Sequence, residues 1–491
     1  MAVGTFNPDP PFAILDQGGV GNWHQIAFLT WEIRQPDHAV GRYSWGGTRT
    51  HTVEIFGSGF TFDGPGATPG IGALLSGTVT GYRESSEGIP LWDFTGFSLS
   101  VAEIRQRGFS SNPYYGLEDY ALRGADTITG TNGDNSMSGR EGDDELHGLA
   151  GADRVRGNEG ADRLFGDAGN DELDGGTGDD TLHGGAGDDR LLGWLGRDTA
   201  ETSAFRRQVA VEFTAGVEAK TAGPDGTDTL SGVEALRFAD GVLHLDPAGT
   251  AGQVWRLYAA AFGREAETTG LSDWVAALDA RATTLVGAAK AFIASAEFAG
   301  RHGQLDDAGF VSRLYANVLD REPDAAGLEA WNARLAAGAS RAEVLLGFSE
   351  SAEHRAATDA GIADGLWTVD LGALDVLRCY AAVLDRLPDA EGLAFWTGAR
   401  NGGLASAQMA DAFTRSAEFQ SRFGALSDAE FVERMYLVAL DRPADAAGHA
   451  SWTAGLDSGA IGRRDVVQGF AYSDEMTAKL LPLVSDGIAF A

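Results

Sequence analysis

Gly184-Gly185-Ala186-Gly187-Asp188-Asp189-Arg190-Leu191-Leu192 is one unit of a nine-residue pattern that runs without insertion from Gly124 to Ala200. One glycine recurs every ninth residue, from Gly124 through Gly187 to Gly196. Two positions after each comes an acidic or amide side chain: Asp126, Asn135, Asp144, Asp153, Asp162, Asp171, Asp180, Asp189 and Asp198. Two further on stands an apolar residue: Ile128, Met137, Leu146, Val155, Leu164, Leu173, Leu182 and Leu191, with Ala200 closing the series. A second glycine series occupies Gly130, Gly139, Gly148, Gly157, Gly166, Gly175, Gly184 and Gly193. A short unit with a single apolar residue cannot bury a core alone, so such units must stack on one another.

At 491 residues the chain exceeds a single core, and several domains are expected. It carries 37 basic and 71 acidic residues, a net charge of −34. That surface repels nucleic acid and anionic lipid and attracts divalent cations. Cys379 is the single cysteine, which excludes an intramolecular disulfide. No apolar run reaches the roughly 18 residues of a membrane span. The first ten residues lack a basic region and an apolar core, so no N-terminal signal peptide is expected there.

Three textures flank and include the repeat. Residues 1–120 read as a β-rich domain, a small sandwich or sheet, with β-branched and aromatic stretches such as Gln25-Ile26-Ala27-Phe28-Leu29-Thr30-Trp31 between glycine-rich turns. His24, His38 and His51 are scattered there and read as packed or solvated rather than as ligands. Residues 121–201 are the repeat. Residues 202–249 read as a cap and linker, with strands expected at Val209-Ala210-Val211-Glu212-Phe213 and Ala235-Leu236-Arg237-Phe238. Residues 250–491 read as an all-α repeat domain of four units. Tyr258, Tyr315, Tyr380 and Tyr436 are each followed sixteen residues later by Trp274, Trp331, Trp396 and Trp452. Arg264, Arg321, Arg386 and Arg442 lie between them, and Ser295, Ser351, Ser416 and Ser473 follow.

The nonapeptide Gly-x-x-Gly-x-Asp-x-(apolar)-x resembles the RTX (repeats-in-toxin) family across residues 124 to about 200. The resemblance implies a parallel β-roll that binds calcium. Its chemistry agrees with the residue types, because glycines free the backbone to aim carbonyls at one point and calcium takes six to eight hard oxygens. Two units make one coil of 18 residues, so side chains on one edge stack 18 apart. One edge then carries Asp126, Asp144, Asp162, Asp180 and Asp198; the other carries Asn135, Asp153, Asp171 and Asp189. With carbonyls of the second glycine series, these enclose up to about seven calcium sites. Asn135 supplies an uncharged oxygen, so the gap beside it is expected to be weakest or empty. Ala200 offers little to a core, and the roll is expected to end there. Residues 124–201 hold 19 acidic and 6 basic side chains, a net of −13, which about seven divalent ions would offset.

The family resemblance further implies export from a Gram-negative cell by the type I secretion machinery, read from an uncleaved C-terminal signal. The tail Ser485-Asp486-Gly487-Ile488-Ala489-Phe490-Ala491 looks like such a signal. Residues 253 to about 480 resemble the bacterial module known as domain of unknown function 4214. The resemblance rests on Leu314-Tyr315, Leu319-Asp320-Arg321-Glu322-Pro323-Asp324-Ala325-Ala326-Gly327, Trp331 and Phe348 with Ser351-Ala352-Glu353. The first copy departs at Glu265-Ala266-Glu267-Thr268-Thr269-Gly270, and the fourth shifts its proline to Pro443. Each copy also carries a glutamate: Glu297, Glu353, Glu418 and Glu475. A fourfold Arg–Glu pair reads as a pin for each helical unit, and the aspartate before Ala-Ala-Gly reads as a helix N-cap.

No His-Glu-x-x-His, Gly-x-Ser-x-Gly or phosphate loop occurs, and Gly347-Phe348-Ser349-Glu350-Ser351 fails the nucleophile elbow at its last position. The expected function is therefore non-enzymatic: a secreted, calcium-binding structural protein of the cell surface that assembles once folded. Two alternatives are a calcium-dependent adhesin for cell-surface polysaccharide and a hydrolase with its site in residues 1–120.

Overall fold

The computed structural model describes residues 124–130, 132–214 and 218–490, together with the backbone of strands Gly4–Phe6, Ile26–Gln35, His38–Trp45, Arg49–Phe62, Leu74–Ser86 and Ile89–Ser100. The five longer strands pair antiparallel with their sequence neighbours. The expected packing of an N-terminal β domain, with His24, His38 and His51, otherwise lies outside the described residues. The chain divides into two compact units, residues 1–204 with 209–236 and residues 205–208 with 237–491.

In the first unit the nonapeptides form a parallel solenoid of two facing ladders. One ladder stacks Ser136–Glu141, Arg154–Glu159, Glu172–Thr177 and Arg190–Leu195. The other stacks Thr127–Thr129, Glu145–His147, Arg163–Ala168, Thr181–Ala186 and Thr199–Glu201. Partners differ by 18 residues, as in Val155 against Leu173 and Leu164 against Leu182. The apolar residue of every unit points between the ladders, and Ile128, Met137, Leu146, Val155, Leu164, Leu173, Leu182, Leu191 and Ala200 are all buried. The loop glycines make this stacking possible. Gly169 sits at φ 141°, and a Cβ there would strike the carbonyl of Gly151 in the coil below.

Two features depart from the expectation. First, five units place a side chain, not glycine, in the left-handed region after the second glycine: Arg140, Leu149, Asn158, Asp167 and Trp194, at φ 70–81°. Second, the roll does not end at Ala200. A hairpin of Ala210–Thr214 and Glu218–Gly223 interrupts it, and Gly226–Ser231 then returns to pair parallel with Arg190–Leu195, Leu230 opposite Leu191. Gly226, Asp228 and Leu230 restore the repeat's spacing after the insertion, and Leu230 is buried like its predecessors.

The second unit is built from helices. Each copy runs helix, tight loop, helix, helix, helix, and the copies associate in two pairs, one core spanning residues 251–348 and another dominated by residues 369–488. In every copy the tyrosine and the tryptophan both pack against one phenylalanine, edge-on or tilted. Tyr258 and Trp274 meet Phe292, Tyr315 and Trp331 meet Phe348, Tyr380 and Trp396 meet Phe413, and Tyr436 and Trp452 meet Phe470, with centroids 4.7–5.9 Å apart. Asp324, Asp389 and Asp445 cap the second helix by accepting from the amides of Gly327, Gly392 and Gly448. The first copy, with Glu267 at that position, makes no such side-chain bond. Residues 237–249, read as the end of a cap and a linker, belong to this unit, where Gly241–His244 pairs antiparallel with Leu366–Val369.

The repeated Arg–Glu pairs form as pins. Arg264 grips Glu297 with two bonds of 2.8 and 2.9 Å, and Arg442 grips Glu475 at 2.7 and 2.9 Å. Arg386–Glu418 and Arg321–Glu353 are longer, at 3.2 and 3.4 Å. Each guanidinium also lies over its copy's tyrosine at 4.9–5.3 Å. These charges are engaged with one another inside each copy.

Candidate metal centre

Each aspartate of the repeat is placed by its own coil and held by the preceding one. The amide of Asp126 donates to Asp144 Oδ1 at 2.8 Å, and the same bond recurs from Asp144 to Asp162, Asp162 to Asp180 and Asp180 to Asp198. On the other edge Asn135 donates to Asp153, Asp153 to Asp171 and Asp171 to Asp189, at 2.6–2.9 Å. The two expected edges therefore exist. The second oxygen of each carboxylate has no such use. Oδ2 of Asp126, Asp144, Asp153, Asp162, Asp171, Asp180, Asp189 and Asp198 is buried without a hydrogen-bond partner.

Seven of those orphan oxygens, all but that of Asp126, face the second glycine series. A Cβ on Gly148, Gly157 or Gly166 would collide with Oδ2 of Asp153, Asp162 or Asp171, and with the carbonyl of Gly166, Gly175 or Gly184 from the next coil. Gly139, Gly175, Gly184 and Gly193 are filled in the same way by Asp144, Asp180, Asp189 and Asp198, and Gly130 by Oδ1 of Asn135 beside the Gly148 carbonyl. Buried carboxylate oxygen next to carbonyl oxygen, with no donor between, is repulsive unless a cation joins them. Among the described residues no three His, Cys, Asp or Glu side chains converge on one point. The edge residues of successive coils bring two carboxylates to a gap, or one beside Asn135, and backbone carbonyls complete the oxygen set. That set fits calcium, a hard ion that takes carboxylate and carbonyl oxygen together, and calcium's chemistry there is charge neutralisation and bridging of coils.

The metal-free electrostatics agree. Burial, ahead of neighbouring carboxylates, pushes Asp126, Asp144 and Asp180 up to about 7 and Asp153, Asp162 and Asp189 up to about 6. Asp171 and Asp198 are raised for the same reason. A raised carboxylate favours the metal-free fold below its unfolded value near 3.8, and that contribution is lost as pH rises through about 6–7. Calcium must displace those protons. Its apparent affinity is therefore expected to fall about tenfold or more between pH 7.5 and pH 5, with proton release on binding. Calcium titrations by calorimetry in buffers of different ionisation heat check this, and pH-independent binding would contradict it.

Asn135 is half-buried and takes the aspartate's place in its unit. Asn135→Asp is expected to strengthen the gap it shares with Asp153, where a charged oxygen would replace a neutral one, by about tenfold in calcium affinity. Unchanged affinity and stoichiometry in that variant would show that the gap takes no ion.

A stacked solenoid whose coils meet at paired, uncompensated carboxylates defines a calcium-binding β-roll. The comparisons agree: the family model of the RTX calcium-binding nonapeptide repeat matches residues 120–155, 138–173, 147–182 and 165–200, and this segment is an RTX repeat array. The model of the domain of unknown function DUF4214 matches residues 289–358, 376–423 and 410–480, which leaves the divergent first helical copy largely outside. No curated protein matches the chain. RTX repeats are typical of secreted proteins, and among the described residues no helix is long and apolar enough to cross a membrane.

Sequence reasoning missed two members of the aspartate ladder. The amide of Asp189 donates to Asp228 Oδ1 at 3.1 Å, and that of Asp198 to Glu234 Oε2 at 2.7 Å. The spacings are 39 and 36 residues instead of 18, so the period conceals them.

Proposed function

We propose that this chain is a calcium-folded structural component of the cell exterior, exported unfolded by the type I secretion machinery and assembled after folding. The observation that carries the reading is the row of eight buried, unpartnered carboxylate oxygens in the roll. Scarce cytosolic calcium would leave them uncompensated, whereas extracellular modules work near 10⁻⁴–10⁻³ M, roughly the affinity such gaps suit. The roll would thus stay open for export and close outside. The helical copies support a scaffolding role, since their repeated Arg, Glu, Tyr and Trp side chains are spent on internal contacts. The test is light scattering with circular dichroism while calcium rises from chelated to about 10 mM. Folding accompanied by growth of large assemblies supports the reading, and a folded monomer at high concentration would sink the assembly part.

A second reading, a polysaccharide-binding adhesin, is favoured by Phe395, an aromatic ring 67% exposed on the third helical copy. Sugar rings stack on such faces. A glycan array without hits, beside robust self-assembly, would reject it.

A further inference from the structure

We infer that the roll carries a further cation site at its C-terminal end, formed by Asp198 Oδ2, the Gly232 carbonyl and the Glu234 carboxylate, outside the nonapeptide register. The inference rests on the calcium reading of the regular gaps and extends it to a coil that the repeat pattern does not reach.

Three observations make this gap equivalent to the regular ones. Asp198 is fully buried, and its Oδ2 has no hydrogen-bond partner. A Cβ on Gly193 would collide with that oxygen and with the carbonyl of Gly232, just as one on Gly148 meets Asp153 Oδ2 and the Gly166 carbonyl. The amide of Asp198 donates to Glu234 Oε2 at 2.7 Å, and its carbonyl accepts from Ala235 at 3.1 Å. In a regular gap the amide of Asp180 donates to the Asp198 carboxylate and its carbonyl accepts from Thr199. Glu234 therefore stands where the next aspartate of the edge would stand.

The residue change has a physical reason. In a regular unit the second glycine precedes its aspartate by five residues, as Gly193 precedes Asp198, whereas Gly232 precedes Glu234 by two. Three loop residues are missing from this coil. Glutamate's extra methylene extends the carboxylate's reach across the shortened loop. On the neighbouring edge the Thr221 hydroxyl of the hairpin donates to Asp228 Oδ2 at 3.1 Å. Two carboxylates and a carbonyl, one oxygen buried and unpaired, form the same hard-oxygen donor set as the gaps within the repeat. An ion there would tie the irregular coil to the regular ones and make closure of the roll's end calcium-dependent.

The test is diffraction from crystals of the full chain grown with about 10 mM calcium, with anomalous differences recorded to locate the ions. An ion within about 2.3–2.6 Å of Asp198 Oδ2, Gly232 O and a Glu234 oxygen is the expected result. Ions in the regular gaps with this one empty would overturn the inference and leave the calcium reading intact. Ions nowhere would overturn the reading beneath it. In solution, Glu234→Gln keeps an acceptor for the Asp198 amide and removes the charge, so native mass spectrometry should count one ion fewer than in the wild type. An identical count with unchanged affinities would also overturn the site.

Discussion

Chelating calcium from the purified chain is expected to abolish the β-roll while leaving the helical unit folded. The roll's core is a single file of apolar side chains, one per nine residues, which is too thin to offset the charge around it. Nineteen acidic side chains against six basic ones stand on residues 124–201, and eight carboxylates are driven inside with one oxygen each uncompensated. At ten times its Kd an ion contributes about 1.4 kcal/mol to the folded state, so seven ions give roughly 10 kcal/mol. That equals the whole stability of an ordinary domain, about 5–15 kcal/mol. The helical unit depends on no such set, since its two cores are built from aromatic and aliphatic side chains. Circular dichroism should therefore lose its β component in chelator and keep its helical minima, and hydrogen exchange should lose protection in residues 127–201 and not in residues 250–480. Retention of roll protection in chelator would refute the account.

Much of the roll was legible because the information is local and periodic. Nine-residue spacing dictates which aspartates share an edge, and the bonds from Asp144 to Asp162 and from Asp153 to Asp171 follow that spacing. The extra coil was not legible, because the hairpin between Ala210 and Gly223 breaks the period before Asp228 and Glu234 resume it. Nor were the left-handed positions: Gly176 and Gly185 announce them, but Arg140, Leu149 and Trp194 occupy the same conformation without any sequence signal. In the helical unit the spacing of tyrosine and tryptophan revealed four copies, and Asp324 gave its cap away by the small residues after it. Contacts between distant segments left no trace. Asp240 accepts the amides of Arg206 and Ile488, 34 and 248 residues away, and so fastens the tail that was read as an export signal. Nothing near Asp240 in the sequence marks it.

Arg256→Ala is expected to open the first pair of helical copies, at a cost of about 3–5 kcal/mol, the usual penalty for breaking a buried ion pair from one side. Arginine stands two residues before the tyrosine in every copy, as Arg256, Arg313, Arg378 and Arg434. Only Arg256 is fully buried. Its guanidinium meets both oxygens of Glu350 at 3.0 and 2.7 Å and donates to the Pro247 carbonyl at 2.6 Å, with Asp359 at 3.5 Å. Truncation would leave a largely enclosed carboxylate and a carbonyl without their donor, and a cavity the size of the side chain. The three exposed Arg–Glu pins, Arg321–Glu353, Arg386–Glu418 and Arg442–Glu475, should behave otherwise, because solvent screens them and either partner can return to water. Hydrogen exchange on the calcium-loaded chain separates the cases. In Arg256→Ala the amides of Leu257 and Val344 should lose roughly two to four orders of magnitude of protection, while those of the second pair, such as Val432, stay unchanged because their core is separate. Replacing both partners, as Arg256→Met with Glu350→Leu, should recover much of the loss, since an apolar pair removes the unpaired charge as well as the bridge. A single variant as well protected as the wild type would mean that the buried pair contributes nothing, and that the packing of Val254, Leu257 and Val344 alone holds these copies together.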